Sequence, residues 1–280
     1  MPSKKAMIQF NWIFILIAGA IFLAFFVAFT FRYSSIQEEK TRLEILQNLD
    51  IAIANLQASP FKTTTSLNFP MATTFLCFPQ ALSIEDTQYP TSNLIIAPQP
   101  LFKEAILASF PLKAPFKITS FTIILPRNPQ YVIVAPDSEF TQQLKEDLAL
   151  LPITFQENAQ EEQGKTYFYL NQQKKNRISF TDSTITFPGK QPLPYYSNAH
   201  LYALLFSSQP ECSQEKILKQ LQQQTQQLLR KLQLLESPTC SYSIMQEKLS
   251  SFLNNHSREN QAAIIQANKA LINQNCPGVF

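Results

Sequence analysis

Residues Phe10–Phe31 read FNWIFILIAGAIFLAFFVAFTF and contain no ionisable side chain. A run of about 22 such residues is long enough to cross a hydrocarbon core of roughly 30 Å as one helix. A cleaved secretory signal has a shorter apolar core and a small-residue cleavage site. Here the run is aromatic throughout and ends at Phe29-Thr30-Phe31-Arg32 without such a site. Retention in the membrane, in contact with lipid, is the expectation. Trp12 near one end and Tyr33 at the other suit the two water interfaces, where a ring and a polar tip are both satisfied.

Lys4 and Lys5 flank one side of this run, and Arg32, Lys40 and Arg42 the other, so basic residues alone do not orient it. The short N-terminal tail and the position of all four cysteines beyond the run predict a cytoplasmic N-terminus with the bulk outside. Within the run, Ala20, Ala24 and Ala28 recur every four residues beside Gly19. Small residues on one stripe let a second helix approach closely, although alanine is also common in spans for no such reason.

The helix is predicted to continue past the membrane. Ser34–Ala58 lacks Pro and Gly, and Ile36, Leu43, Leu46, Leu49, Ile53 and Leu56 recur at helical spacing as one apolar stripe. Joined to the span, this makes a rod of about 70 Å, which Ser59-Pro60 ends. The expected organisation is a tail (1–9), a transmembrane helix (10–31), a stalk helix (32–58), a mixed α/β domain (59–209) and a C-terminal helical segment (210–280). The fold class is α+β.

In the central region, 67–69, 73–78, 81–84 and 93–97 read as short strands cut by prolines. Leu101–Ser109 reads as a short helix. Phe116–Leu125 and Gln130–Ala135 are the strongest strands, and Asp137 or Ser138 can cap a helix running to about Leu150. Ile153–Phe155 then completes a possible βαβ unit. Lys165–Asn171 and Arg177–Phe187 alternate as a meander around Gln172–Asn176, with Lys174, Lys175 and Arg177 at its tip. In the last third, Leu218, Leu221, Thr225, Leu228, Leu232 and Leu235 follow a short coiled-coil heptad. Two further helices are expected at 242–253 and 258–273, making a bundle or a helical layer on the sheet.

An even number of cysteines in an exported domain suggests two disulfides, with four reduced, buried thiols as the alternative. Cys240 and Cys276 bracket the last two helices, so a bridge there would staple a hairpin and leave Cys77 to pair with Cys212. Four cysteines nevertheless allow three connectivities. Asn255-His256-Ser257 is an N-glycosylation sequon, which makes Asn255 a candidate surface site.

The sequence holds little that points to chemistry. Only 4 glycines are present, which argues against phosphate loops and dinucleotide fingerprints. A net charge of +3 is too small and dispersed to argue for nucleic acid. No GxSxG or HExxH pattern occurs. His200, in SNAHLYALLF, reads as a strand-face residue, and His256 as loop or cap. Asp137 follows a buried strand, where α/β enzymes often place functional carboxylates, but capping explains it as well. Glu161 and Glu162 read as a solvated turn. No catalytic residue, metal site or cofactor is expected.

QFNWIFILIAGAIFLAFF followed by YSSIQEEK, the central LPRNPQYVIVAPDSEF and the closing NQNCPGVF resemble an uncharacterised group of single-pass membrane proteins from small-genome archaea. The resemblance implies an archaeal cell-envelope protein and carries no activity. In layout the chain is also similar to a type IV pilin, with Lys5-Ala6 as a processing site, although no glutamate sits early in the apolar run. The expected function is a non-catalytic scaffold with a protein partner or a homo-oligomer formed through the stalk or C-terminal helices. A pilin-like subunit, an anchored ligand-binding domain and an anchored hydrolase or transferase are the alternatives.

Overall fold

The computed structural model describes residues 4–59, 62–77, 81–98, 101–128, 131–158, 160–172, 176–237 and 239–280. Helix α1 (Lys4–Ala58) is unbroken over 55 residues, about 80 Å at 1.5 Å per residue. It includes a helix long and apolar enough to cross a membrane, and none of that apolar stretch is buried in the protein. The hydroxyl of Thr30 donates to the Phe26 carbonyl at 2.8 Å, so the helix satisfies that polar group internally.

The first sheet has the order β3-β2-β1-β5-β6-β4. Its strands are β1 (Thr63–Leu76), β2 (Ala81–Ile84), β3 (Thr87–Pro90), β4 (Leu94–Ile96), β5 (Leu101–Lys113) and β6 (Lys117–Pro126). All neighbours are antiparallel except β4 and β6. One face receives the end of α1: Leu46, Leu49 and Ile53 are buried against Phe69, Leu82, Ile84, Leu107 and Ile124. Ile36 and Leu43, expected on the same stripe, are 57% and 38% exposed. The stripe drifts around a straight helix, because three- and four-residue steps summed over 20 residues do not close on 3.6 per turn. The first ion pair from the sheet to the helix is Arg42 to Glu85 at 2.6 Å. Between Arg32 and Arg42 about 15 Å of helix separates the apolar stretch from this contact.

Leu101–Ser109 is strand, not helix. Along β5 the odd positions Ala105 and Leu107 enter the cluster under α1, while the even positions Ala108, Phe110 and Leu112 enter the main core. Burial on both faces erases the polar–apolar alternation, so helix-prone Ala, Leu, Glu and Lys dominate the local signal until tertiary packing overrides it. β1 likewise runs through Pro70 as a single strand, with a break in register between Phe69 and Thr73. In β6 the register shifts where Leu112 pairs with Thr119 and Lys113 with Lys117. The extra residue, Ile118, moves the core-facing set from Phe116 and Ile118 to Phe121, Ile123 and Leu125.

The second sheet, β12-β11-β10-β9-β7-β8, comprises β7 (Tyr131–Val134), β8 (Ile153–Gln156), β9 (Thr166–Leu170), β10 (Ile178–Phe180), β11 (Thr184–Thr186) and β12 (Leu193–Pro194). Helix α2 (Glu139–Leu148) lies between the parallel neighbours β7 and β8, and the hydroxyl of Ser138 accepts from the Thr141 N–H as its cap. β9 and β10 are parallel, so the meander expected here does not form. Asn171 and Asn176, with φ of 55° and 62°, turn the chain at each end of the connection. Asparagine tolerates that left-handed region better than most side chains. Lys174 and Lys175 lie outside the described residues.

SNAHLYALLF is helix α3 (Asn198–Leu205), not strand. Six consecutive residues, His200–Leu205, are buried, and a short helix buried all round has the same pattern as a buried strand. Three helices follow: α4 (Pro210–Leu235), α5 (Ser243–Asn254) and α6 (Arg258–Asn273). α4 buries Ile217, Leu221, Thr225 and Leu232 and touches α3, α5 and β6. The Thr225 hydroxyl donates to the Leu221 carbonyl at 2.8 Å, so this polar core position is satisfied. Both sheets and the helices α2–α6 share one core, with Phe110, Phe121, Phe168, Tyr202, Phe206 and Phe252 among its largest members.

Candidate functional site

A groove of about 620 Å³ lies where the end of β12 meets the junction of α5 and α6. Tyr195, Tyr196, Asn254, Asn255, His256 and Arg258 are among its lining residues. The connection into α3 supplies the two tyrosines, and the Ser257 cap of α6 fixes the turn that carries His256 and Arg258 by accepting from the Asn260 N–H at 3.2 Å.

The tyrosine pair is held by the backbone on both sides. The Tyr195 hydroxyl donates to the Thr181 carbonyl at 2.5 Å, and the Arg258 guanidinium lies 5.8 Å from the Tyr195 ring centroid. Arg258 also donates to the carbonyl of Asp182, and Gln261 Nε2 donates to that of Tyr196 at 3.2 Å. Burial pushes both phenols above their ordinary range, so at neutral pH they act as hydrogen-bonding groups and apolar walls.

Behind Tyr196 lies His200, which is 1% exposed. The Tyr196 N–H donates to its Nδ1 at 3.3 Å. His200 and His256 have ring centroids 5.1 and 5.5 Å from that of Tyr196, and Phe252 stands edge-on to His256 at 5.2 Å. Neither Nε2 has a hydrogen-bond partner among the described residues. Burial, then the proximity of His256, lowers the His200 pKa to about 3, and burial lowers that of His256. Sequence reasoning separated the two residues into a strand face and a loop. What could have joined them is that they are the chain's only histidines.

The arrangement offers two aromatic rings, an amide, a guanidinium and an imidazole around a concave surface. That combination suits a ligand with an apolar face and polar edges. His256 packs against rings, and among the described residues no side chain bonds to either imidazole Nε2.

The remaining sequence candidates are dispersed. Cys77, after β1, is bonded to Cys212 in the first turn of α4, and Cys240 to Cys276 across the α5–α6 pair. Asn255 is exposed at the end of α5 and forms one wall of the groove. Asp137 accepts from Gln142 Nε2 at 3.0 Å, leaving the cap to Ser138. Glu161 is not a free turn residue: it accepts from the Tyr169 hydroxyl at 2.5 Å and pairs with Arg177. With Gln160 and Glu162 bonded to the Tyr167 hydroxyl, this loop covers Val132, Val134, Tyr167 and Tyr169 on the outer face of the second sheet.

Ala20, Ala24 and Ala28 are exposed on α1. At 100° per residue they fall on the same side of the helix as Leu46, Leu49 and Ile53. The alanine face therefore looks toward the side that carries the domain, and the opposite face, with Phe22, Phe25, Phe29, Ile36 and Leu43, is free of it.

Comparison with protein families, with curated proteins and with solved structures gave no match at a significant level.

Proposed function

We propose that the chain is a single-pass, membrane-anchored extracytoplasmic protein that serves as a non-catalytic scaffold in a cell-envelope assembly. The observation that carries this is α1. One unbroken helix passes from an exposed apolar stretch of membrane length into the core of a folded domain. A flexible tether would need only the anchor, whereas a buried, ion-paired helix end holds a domain at fixed height and orientation. Two disulfides support an oxidising compartment for everything beyond the span. The same reading places the N-terminus in the cytoplasm and gives the exposed aromatic face of α1 or the outer faces of α4–α6 to a partner. The resemblance to archaeal envelope proteins belongs to this proposal.

The test is accessibility in intact cells. After mild reduction, a membrane-impermeant thiol reagent is expected to modify Cys77, Cys212, Cys240 and Cys276 without permeabilisation. Modification only after the membrane is opened would reverse the orientation and remove the proposal. A second reading, an anchored ligand-binding domain, draws on the groove at Tyr195, Tyr196, His256 and Arg258. Its walls are pre-formed by backbone-held side chains, as small-ligand sites require.

A further inference from the structure

His200 and His256 come from different elements, the first turn of α3 and the α5–α6 junction, and meet only through the ring of Tyr196. A neutral imidazole that accepts at Nδ1 carries its proton on Nε2. His200, which accepts the Tyr196 N–H, is therefore fixed in that tautomer, and its Nε2–H has no acceptor. This argues against a metal ion there, since both ring nitrogens would have to offer lone pairs at once. It also leaves an imidazole that cannot take a second proton in place. Protonating Nδ1 would set two donors against each other and orphan the Tyr196 N–H.

Among the described residues no carboxylate bonds to either Nε2. From the connection before α3 come the phenols of Tyr195 and Tyr196. From α6 come Arg258 and Glu259 at the rim of the groove. From the turn before β11 comes Asp182, which meets Arg258 through its carbonyl oxygen. Arg258 is a cation, so a charged imidazole gains nothing from it.

We propose that His200 and His256 form an acid-sensitive latch, in which proton uptake releases the α5–α6 corner from α3 and opens the groove around Tyr196. The corner can move as one piece, because Cys240–Cys276 ties the two ends of the α5–α6 pair together. The sign follows from linkage. The closed state lowers the pKa of His200 to about 3, whereas an open, solvated imidazole titrates near 6.5. The open state thus binds more protons between these values. The latch is fully closed above about pH 6.5 and weakens progressively as pH falls toward the closed-state value. Between pH 7 and 5, the open-to-closed ratio rises roughly 25-fold for one such group.

The experiment is hydrogen exchange by mass spectrometry on the full-length chain in detergent at pH 7 and pH 5, expressed as protection factors. Residues 198–206 and 252–262 are expected to lose protection by roughly 25-fold, while β5 and β6 retain theirs. In His200→Gln the loss is smaller than that of the wild type. Should that variant fail to fold at pH 7, His256→Gln serves instead, and its loss is smaller than that of the wild type. Unchanged protection at pH 5 in the wild type overturns the proposal, and so does a full wild-type response in a folded variant.

Discussion

Opening the Cys77–Cys212 bridge is expected to destabilise the domain by about 5 kcal/mol, comparable to the whole margin of a modest domain. The bond joins the end of β1 to the first turn of α4 across 135 residues, a stretch that includes most of both sheets and α3. In the chain-entropy account the constraint acts on the unfolded ensemble and grows with the logarithm of loop length. Cys240–Cys276, closing 36 residues, is worth about 4 kcal/mol on the same account. Urea unfolding of the detergent-solubilised chain carrying C77S and C212S tests this against the C240S and C276S pair. The first pair should lower the midpoint more. A loss below about 1 kcal/mol would mean the bridge merely decorates contacts that already hold the lobes together.

Ile53→Asp should be nearly as damaging, through a penalty on the folded state instead of a constraint on the unfolded one. Ile53 is fully buried where α1 meets the first sheet. A carboxylate there has to be neutralised or leave, at a cost of several kcal/mol. The expected outcome is a detached helix end: residues 46–58 become protease-sensitive and the urea midpoint collapses. Ile51→Asp is the internal control. It is two residues away but on the far side of the helix and 51% exposed, so its effect should stay within about 0.5 kcal/mol. Equal damage from both would mean that helix continuity, not the buried face, secures the domain.

The membrane-length run and the helix beyond it were readable because both signals are local: absence of charge, absence of Pro and Gly, and a recurring apolar step. β6, β7, α2 and the last three helices were legible for the same reason. β5 was not, because a central strand buried on both faces loses the alternation that distinguishes it. α3 was not, because eight residues buried on nearly every side have no periodicity to show. The parallel β9–β10 pair depends on backbone turns at Asn171 and Asn176 that no apolar pattern encodes. The groove was invisible for a deeper reason. Tyr195 and His256 line it from elements distant in sequence, which only tertiary packing brings together.

These features give α1 two roles with a sharp border. From Phe14 to Tyr33 none of its side chains is buried, and from Arg42 onward one face is committed to the domain. The bare segment between them has no Gly or Pro and is laced by the Lys40–Glu44 and Arg42–Glu38 pairs along one rod. Such pairs add only a few tenths of a kcal/mol each.

The most direct test of this rod is a pulsed electron-spin distance between labels at Ser34 and Asn55, both exposed on α1, in the full-length chain reconstituted in lipid vesicles. The native cysteines are bonded and leave two engineered thiols to carry the labels. A continuous helix predicts one narrow distribution centred at about 32 Å. A broad distribution, or one centred well below that distance, would contradict a rigid stalk and reduce α1 to an anchor with a flexible tether.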